Sequence, residues 1–151
     1  MTRDWRLAIR PEDYGRGMQS TVIEVRTGGE ERVVDISGQV SSFCRGMGDG
    51  LVNVFVPHAT CGVAIIETGA GSDHDLLAAL HDLLPADERW SHRHGSPGHG
   101  RDHVLPGLVA PSVIIPVIDG SPAFGTWQSI TLVDTNRDNT TRRVRLSFLA
   151  G

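Results

Sequence analysis

Apolar and polar positions along the chain follow two periods, and the changes between them mark out the elements. Over 142–149, Val144, Leu146 and Phe148 alternate with Arg143, Arg145 and Ser147, the period-two pattern of a strand with one wet face. Residues 20–25 and 32–36 are β-branched runs separated by Thr27, Gly28 and Gly29, which reads as a hairpin. Residues 51–56 and 62–66 are apolar nearly throughout, as strands covered on both faces would be. The connection Pro57-His58-Ala59-Thr60-Cys61 leaves a histidine at a strand end. Residues 113–118 and 129–133 complete the strand set.

A period near 3.6 occurs twice. Val40, Phe43, Cys44 and Met47 define a short helix, with Ser37 as its N-cap and Gly48 and Gly50 as its stop, that should lie on the sheet. Leu76, Leu77, Leu80, Leu83 and Leu84 share one face of a helix over 72–84 that Pro85 ends, and Ser72 and Asp75 stand at capping-box spacing. Residues 90–106 fit neither period; polar and rich in glycine and histidine, they read as a long surface excursion of the kind that carries function. Strands in series with one main helix and a short second one predict an α+β fold, with a mostly antiparallel or mixed sheet. We expect a single domain over 1–151, with 1–19 as a polar N-terminal arm.

Composition narrows the function classes. In 151 residues, 39% are hydrophobic and 21% charged, which suits one globular domain. Eighteen acidic residues against fourteen scattered basic ones give a charge of −4, so no positive stripe is available for a nucleic acid. No apolar run approaches the roughly 18–20 residues of a membrane span, and Arg3, Arg6 and Arg10 precede no signal-like apolar segment, so the expected location is cytoplasmic. Every basic residue is arginine; without lysine, neither Schiff-base chemistry nor a Walker-type phosphate lysine is available. Cys44 and Cys61 lie in apolar surroundings without CxxC spacing and read as buried, reduced thiols.

The candidate chemistry is imidazole chemistry. His92, His94, His99 and His103 crowd into twelve positions, and His58 ends a strand that could fold against them. Imidazole is the commonest metal ligand, and histidines drawn from a strand end and a long loop suit an open three-histidine site. The spacing H-x-H-x4-H-x3-H matches no strict ligand signature, and a solvated loop of biased composition fits it equally. Glu67, following an apolar strand, is a candidate acid or base, whereas Asp75 is better explained by the helix cap than by catalysis. His74 and His81 flank the leucine face and suit packing or subunit contact. In Gly125-Thr126-Trp127-Gln128, Trp127 reads as core or wall, while Thr126 and Gln128 could face a ligand.

His58-Ala59-Thr60, Glu67, His74-Asp75-Leu76, Trp90-Ser91-His92, His103 and above all Phe124-Gly125-Thr126-Trp127-Gln128 resemble the YjbQ-like family, also called the secondary thiamine-phosphate synthase family. The likeness spans roughly positions 20–149. It implies the YjbQ-like fold, a homotrimer, a histidine metal centre holding a divalent ion such as zinc or magnesium, and a weak thiamine-phosphate synthase activity joining a pyrimidine-methyl diphosphate to a thiazole phosphate. Carried over by position, His58, His92 and His103 become the metal ligands, Glu67 and Asp75 catalytic carboxylates, and Thr60, Thr126, Gln128 and Arg143 the contacts to a small phosphorylated metabolite. The chain departs from the family pattern at His99, where relatives often carry an acidic or amide residue, and at Phe124, where leucine is common. A metal- or anion-binding trimer without turnover, or a metal-assisted hydrolase of a phosphorylated metabolite, would use the same residues differently.

Overall fold

The alternation over 142–149 becomes the longest strand, and the larger sheet is built around it. In the computed structural model, which describes residues 17–151, this strand is β8 (Thr141–Ala150). Before it run β1 (Gln19–Arg26), β2 (Arg32–Asp35), α1 (Ser37–Cys44), β3 (Gly50–Phe55), β4 (Cys61–Ile66) and α2 (Ser72–Leu83). A 3₁₀ turn over His99–His103 leads into α3 (Leu105–Leu108), β5 (Ser112–Ile118), β6 (Ser121–Pro122) and β7 (Ser129–Asp134). Of the expected N-terminal arm, residues 1–16 lie outside the described residues, and from Gln19 the chain is already strand.

The architecture is α+β, with two antiparallel sheets ordered β1-β8-β3-β5-β6 and β2-β7-β4. The predicted hairpin between the first two strands does not form. β1 pairs with β8 and β2 with β7, so the turn at Gly28 and Gly29 carries the chain from one sheet to the other. Both glycines have φ near +75° (76° and 73°), which a side chain would strain, and Thr27 and Gly28 donate their amides to the Thr140 carbonyl.

Valines and isoleucines facing inward from both sheets, with Val40 and Cys44 of α1, form the main core. A smaller core lies on the far side of β7, where Leu80, Leu84, Leu105 and Val133 meet beneath α2 and α3. Two strands are therefore covered on both faces: β7, with Ile130 and Leu132 turned to one core and Val133 to the other, and β4, as expected, with Val63 in the main core and Ala64 against the smaller one. β3, read as doubly covered, alternates instead: Val52 and Val54 are buried while Leu51 and Phe55 face outward. The sequence expectation failed there because the outer face of the larger sheet is itself apolar.

Neither helix is capped as expected. α1 opens after Ile36, and the Ser37 hydroxyl accepts the Ile130 amide, so it serves the sheet rather than the helix. α2 opens after Gly71 with no side-chain cap, and Asp73 and Asp75 complement the positive end of the helix from its first turn. No helix among the described residues is long and apolar enough to cross a membrane.

Candidate metal centre

The histidine-rich segment is more ordered than its composition suggests. Where α2 ends, the Trp90 indole donates to the Pro85 carbonyl (2.8 Å) and anchors the start of the loop. Gly100 then packs so tightly that a Cβ there would stand 2.5 Å from the His92 carbonyl oxygen and from Trp90 Cβ. This close approach seats the 3₁₀ turn against His92, and the turn is not a surface excursion: His99, Gly100, Arg101 and Asp102 are all buried.

Four residues of near-helical turn place His99 and His103 side by side, with their Nε2 atoms 2.8 Å apart. The His92 ring centroid lies 3.9 Å from that of His103, and its Nε2 is the buried side-chain polar atom without a hydrogen-bond partner among the described residues. One ring nitrogen from each of His92, His99 and His103 falls within 4.8 Å of the others. The exposed His94 completes the cluster, 4.0 Å from His92 between centroids.

Carboxylates and amides behind the rings orient them. Asp138 Oδ2 lies 2.8 Å from His99 Nδ1 and also accepts the Ser96 amide and hydroxyl. Asn136 Nδ2 stands 3.0 Å from the same Nδ1, but the shorter contact to a carboxylate favours a proton on Nδ1, which leaves Nε2 as the nitrogen offered to a metal. The Asp138 carboxyl is held below the usual range, first by the Ser96 amide. Asp102, buried beneath the turn, accepts from Thr135 (2.7 Å) and from Asn136 (3.0 Å). His92 and His103 are both pushed below the ordinary imidazole range, first by burial and then by the neighbouring histidines, which favours the neutral, ligating form.

Two open cavities flank the loop. One, of about 220 Å³, is bounded by Trp90, His92, His94 and His99. The other, of about 210 Å³, has His99 in one wall and Glu31, His81, Arg101 and Arg137 in the others. Glu31 links these side chains: it pairs with the buried Arg101, contacts His81, and lies 3.4 Å from Arg137. Arg101 also donates to the Leu84 carbonyl, so this network fastens the 3₁₀ turn to the end of α2.

The other residues singled out in the sequence lie elsewhere. His58 is half-buried, and its Nε2 accepts the Arg143 amide at 3.0 Å, so that lone pair is already engaged. Beside it lies the fully buried pair of Arg142 and Asp134 (2.7 Å). Thr60 is buried just before β4, and Glu67 and Asp75 are exposed at the end of β4 and in the first turn of α2. Arg143 has its Nε 3.6 Å from Glu24. Gln128 closes its own turn by accepting the Gly125 amide (2.7 Å), Thr126 is exposed, and Trp127 is 74% exposed, neither core nor wall. His74 is exposed. Asp138, Asn136 and Glu31 were not singled out in the sequence, and His99 was named in the histidine cluster but not among the ligands carried over from the family; its H-x3-H spacing to His103 is the signal that could have placed it, because a single helical turn brings such a pair together.

Comparison with known proteins covers almost the same span. A family model described as UPF0047 protein YjbQ-like matches residues 21–151. A UPF0047 protein of Mycobacterium tuberculosis is 60% identical over 134 residues, 89% of this chain and 100% of the relative. A UPF0047 protein of Archaeoglobus fulgidus is 31% identical, covering 80% of this chain and 94% of the relative. Among solved structures, a YbjQ-like protein of unknown function from Sulfolobus solfataricus aligns with a TM-score of 0.83 at 24% identity, over 89% of this chain and 99% of the other. A conserved hypothetical protein from Thermus thermophilus aligns with a TM-score of 0.75 at 30% identity, over 85% and 99%.

Proposed function

The chain belongs to the UPF0047 YjbQ-like protein family, and from that premise we propose that it is a metal-dependent protein acting on a small phosphorylated metabolite at the centre formed by His92, His99 and His103. The observation that carries the reading is the buried, unpartnered His92 Nε2 beside two further imidazole nitrogens, a donor set that a cation would satisfy together. Three nitrogens at one point suit zinc and not magnesium, which prefers oxygen ligands and retains its water. Asp138 fixes the His99 tautomer, and Asp102 braces the turn from below.

Three neutral ligands leave the charge of a divalent ion uncompensated, and that charge favours an anionic substrate. When bound, such an ion supplies Lewis-acid stabilisation to phosphate or diphosphate oxygens. This fits transfer of the thiamine-phosphate synthase kind, in which a pyrimidine-methyl group passes to a thiazole nitrogen as diphosphate departs, and no protein nucleophile is required. The test is elemental analysis of native protein beside His92→Ala and His103→Ala, with folding checked by circular dichroism. About one zinc per chain, lost in both folded variants, supports the centre and leads to assays with the two phosphorylated substrates; no metal in the native protein refutes it.

A metal-binding homotrimer without turnover is the second reading, favoured by one observation. The outer face of the larger sheet exposes Leu51, Phe55, Ile114, Ile118 and Leu149 around Asn53, a largely apolar surface suited to a second copy of the chain. Sedimentation equilibrium at a trimer mass, combined with metal bound and no product formed, would select it over the enzyme.

A further inference from the structure

Resting on the metal reading above, we propose that His94 is an exchangeable fourth ligand, closing the coordination shell at rest and yielding its place to an incoming anion. At a metal–nitrogen distance of about 2.0 Å each ring centroid stands about 3 Å from the ion, so imidazoles at four tetrahedral corners have centroids about 5 Å apart. The six separations among His92, His94, His99 and His103 run from 3.9 to 5.9 Å and straddle that value. The four ring centroids are therefore spaced as the corners of a tetrahedral site would be.

His94 differs from its neighbours in ways that suit exchange. It is exposed, whereas His99 is buried and the other two are half-buried. The nitrogens that already fall within 4.8 Å of one another belong to the other three histidines, so His94 must turn inward to bind. The backbone beside it permits this. Gly95, at φ +87°, lies flat against the His99 ring, where a Cβ would stand 2.9 Å from Cγ, and the next residue, Ser96, is held by Asp138. His94 thus sits on a short span between His92, whose carbonyl packs against Gly100, and Gly95, close enough to reach the ion and exposed enough to leave it. Closed zinc sites are structural and open ones catalytic; a ligand that alternates between the two makes access to the ion depend on the substrate.

The test loads metal-free protein with cobalt(II), whose visible absorption reports its ligand set, and titrates azide into wild type, His94→Ala and His92→Ala. If His94 holds the fourth position nine-tenths of the time, removing it strengthens azide binding about tenfold. His94→Ala should retain one cobalt per chain with an altered visible spectrum, while His92→Ala loses the metal. An unchanged spectrum and azide affinity in a cobalt-loaded His94→Ala would overturn the role of His94 and leave the metal centre standing. Wild type that takes up no cobalt would remove the metal centre itself, and this inference with it.

Discussion

Replacing Asp134 by Asn tests the buried ion pair that ties β7 of the smaller sheet to β8 of the larger. Arg142 Nε and a terminal nitrogen donate to the two Asp134 oxygens at 2.7 and 2.8 Å, with side chains only 1% and 0% exposed. Asp134 also accepts the Asn136 amide at 2.9 Å. The substitution keeps the shape of Asp134 but removes its charge, leaving a guanidinium buried without an opposite charge, at a cost of about 3–5 kcal/mol. For a chain of this length each kcal/mol shifts the melting temperature by about 2–4 °C, so Tm should fall by roughly 6–20 °C. Urea unfolding followed by circular dichroism gives the free energy directly. The double variant Asp134→Leu with Arg142→Met should be less destabilised than Asp134→Asn alone, because no charge then remains to be desolvated. A loss under about 1 kcal/mol in the single variant, or a double variant at the sum of its singles, would refute this account of the pair.

Three further outcomes follow from the same geometry. Asp138→Ala should weaken zinc binding about 10–100-fold by freeing the His99 tautomer, as isothermal titration calorimetry would show; an unchanged affinity would mean that the carboxylate does not orient the ligand. Burial, reinforced by Asp134, pushes the Cys61 thiol up to about 12, and burial also raises Cys44, so iodoacetamide at pH 8 should label neither in the native protein and both in urea. His58 is held below its ordinary 6.5, first by burial and next by Arg142, with Asp134 opposing. The unfolded chain therefore takes up the proton first, so the stability contributed by a neutral His58 is complete above pH 6.5 and drains away as pH falls toward the folded value. His58→Gln should flatten stability against pH below 6.5; an unaltered slope would contradict it.

Periodicity exposed the elements better than their partners. The leucine stripe of α2 and the alternation of β8 were legible because each depends on local geometry alone, although Leu83, assigned to the apolar face, is 67% exposed at the last residue of the helix. Pairing is decided by residues far apart in sequence, so nothing local distinguishes a β1–β2 hairpin from two strands in different sheets. The site divides in the same way. His92 and His103 were assigned from resemblance, and His99, though part of the histidine cluster, was left out of the ligand set because it departs from the family pattern; one 3₁₀ turn brings it to His103. Asp138 and Asn136 arrive from the turn before β8 and could not have been placed without the fold.

The central position of β8 has a kinetic consequence. It lies between β1 and β3, while β7 divides β2 from β4, so neither sheet closes until its interior strand, late in the sequence, has docked. Ser20 and Ser147, which share a hydrogen bond across β1 and β8, are 127 residues apart. Such long-range pairing must overcome loop-closure entropy before any contact offsets it, which places folding in the slow range of roughly milliseconds to seconds. Until β8 arrives, β1 and β3 present open edges with apolar faces, and refolding yield should depend on protein concentration far more than native stability does.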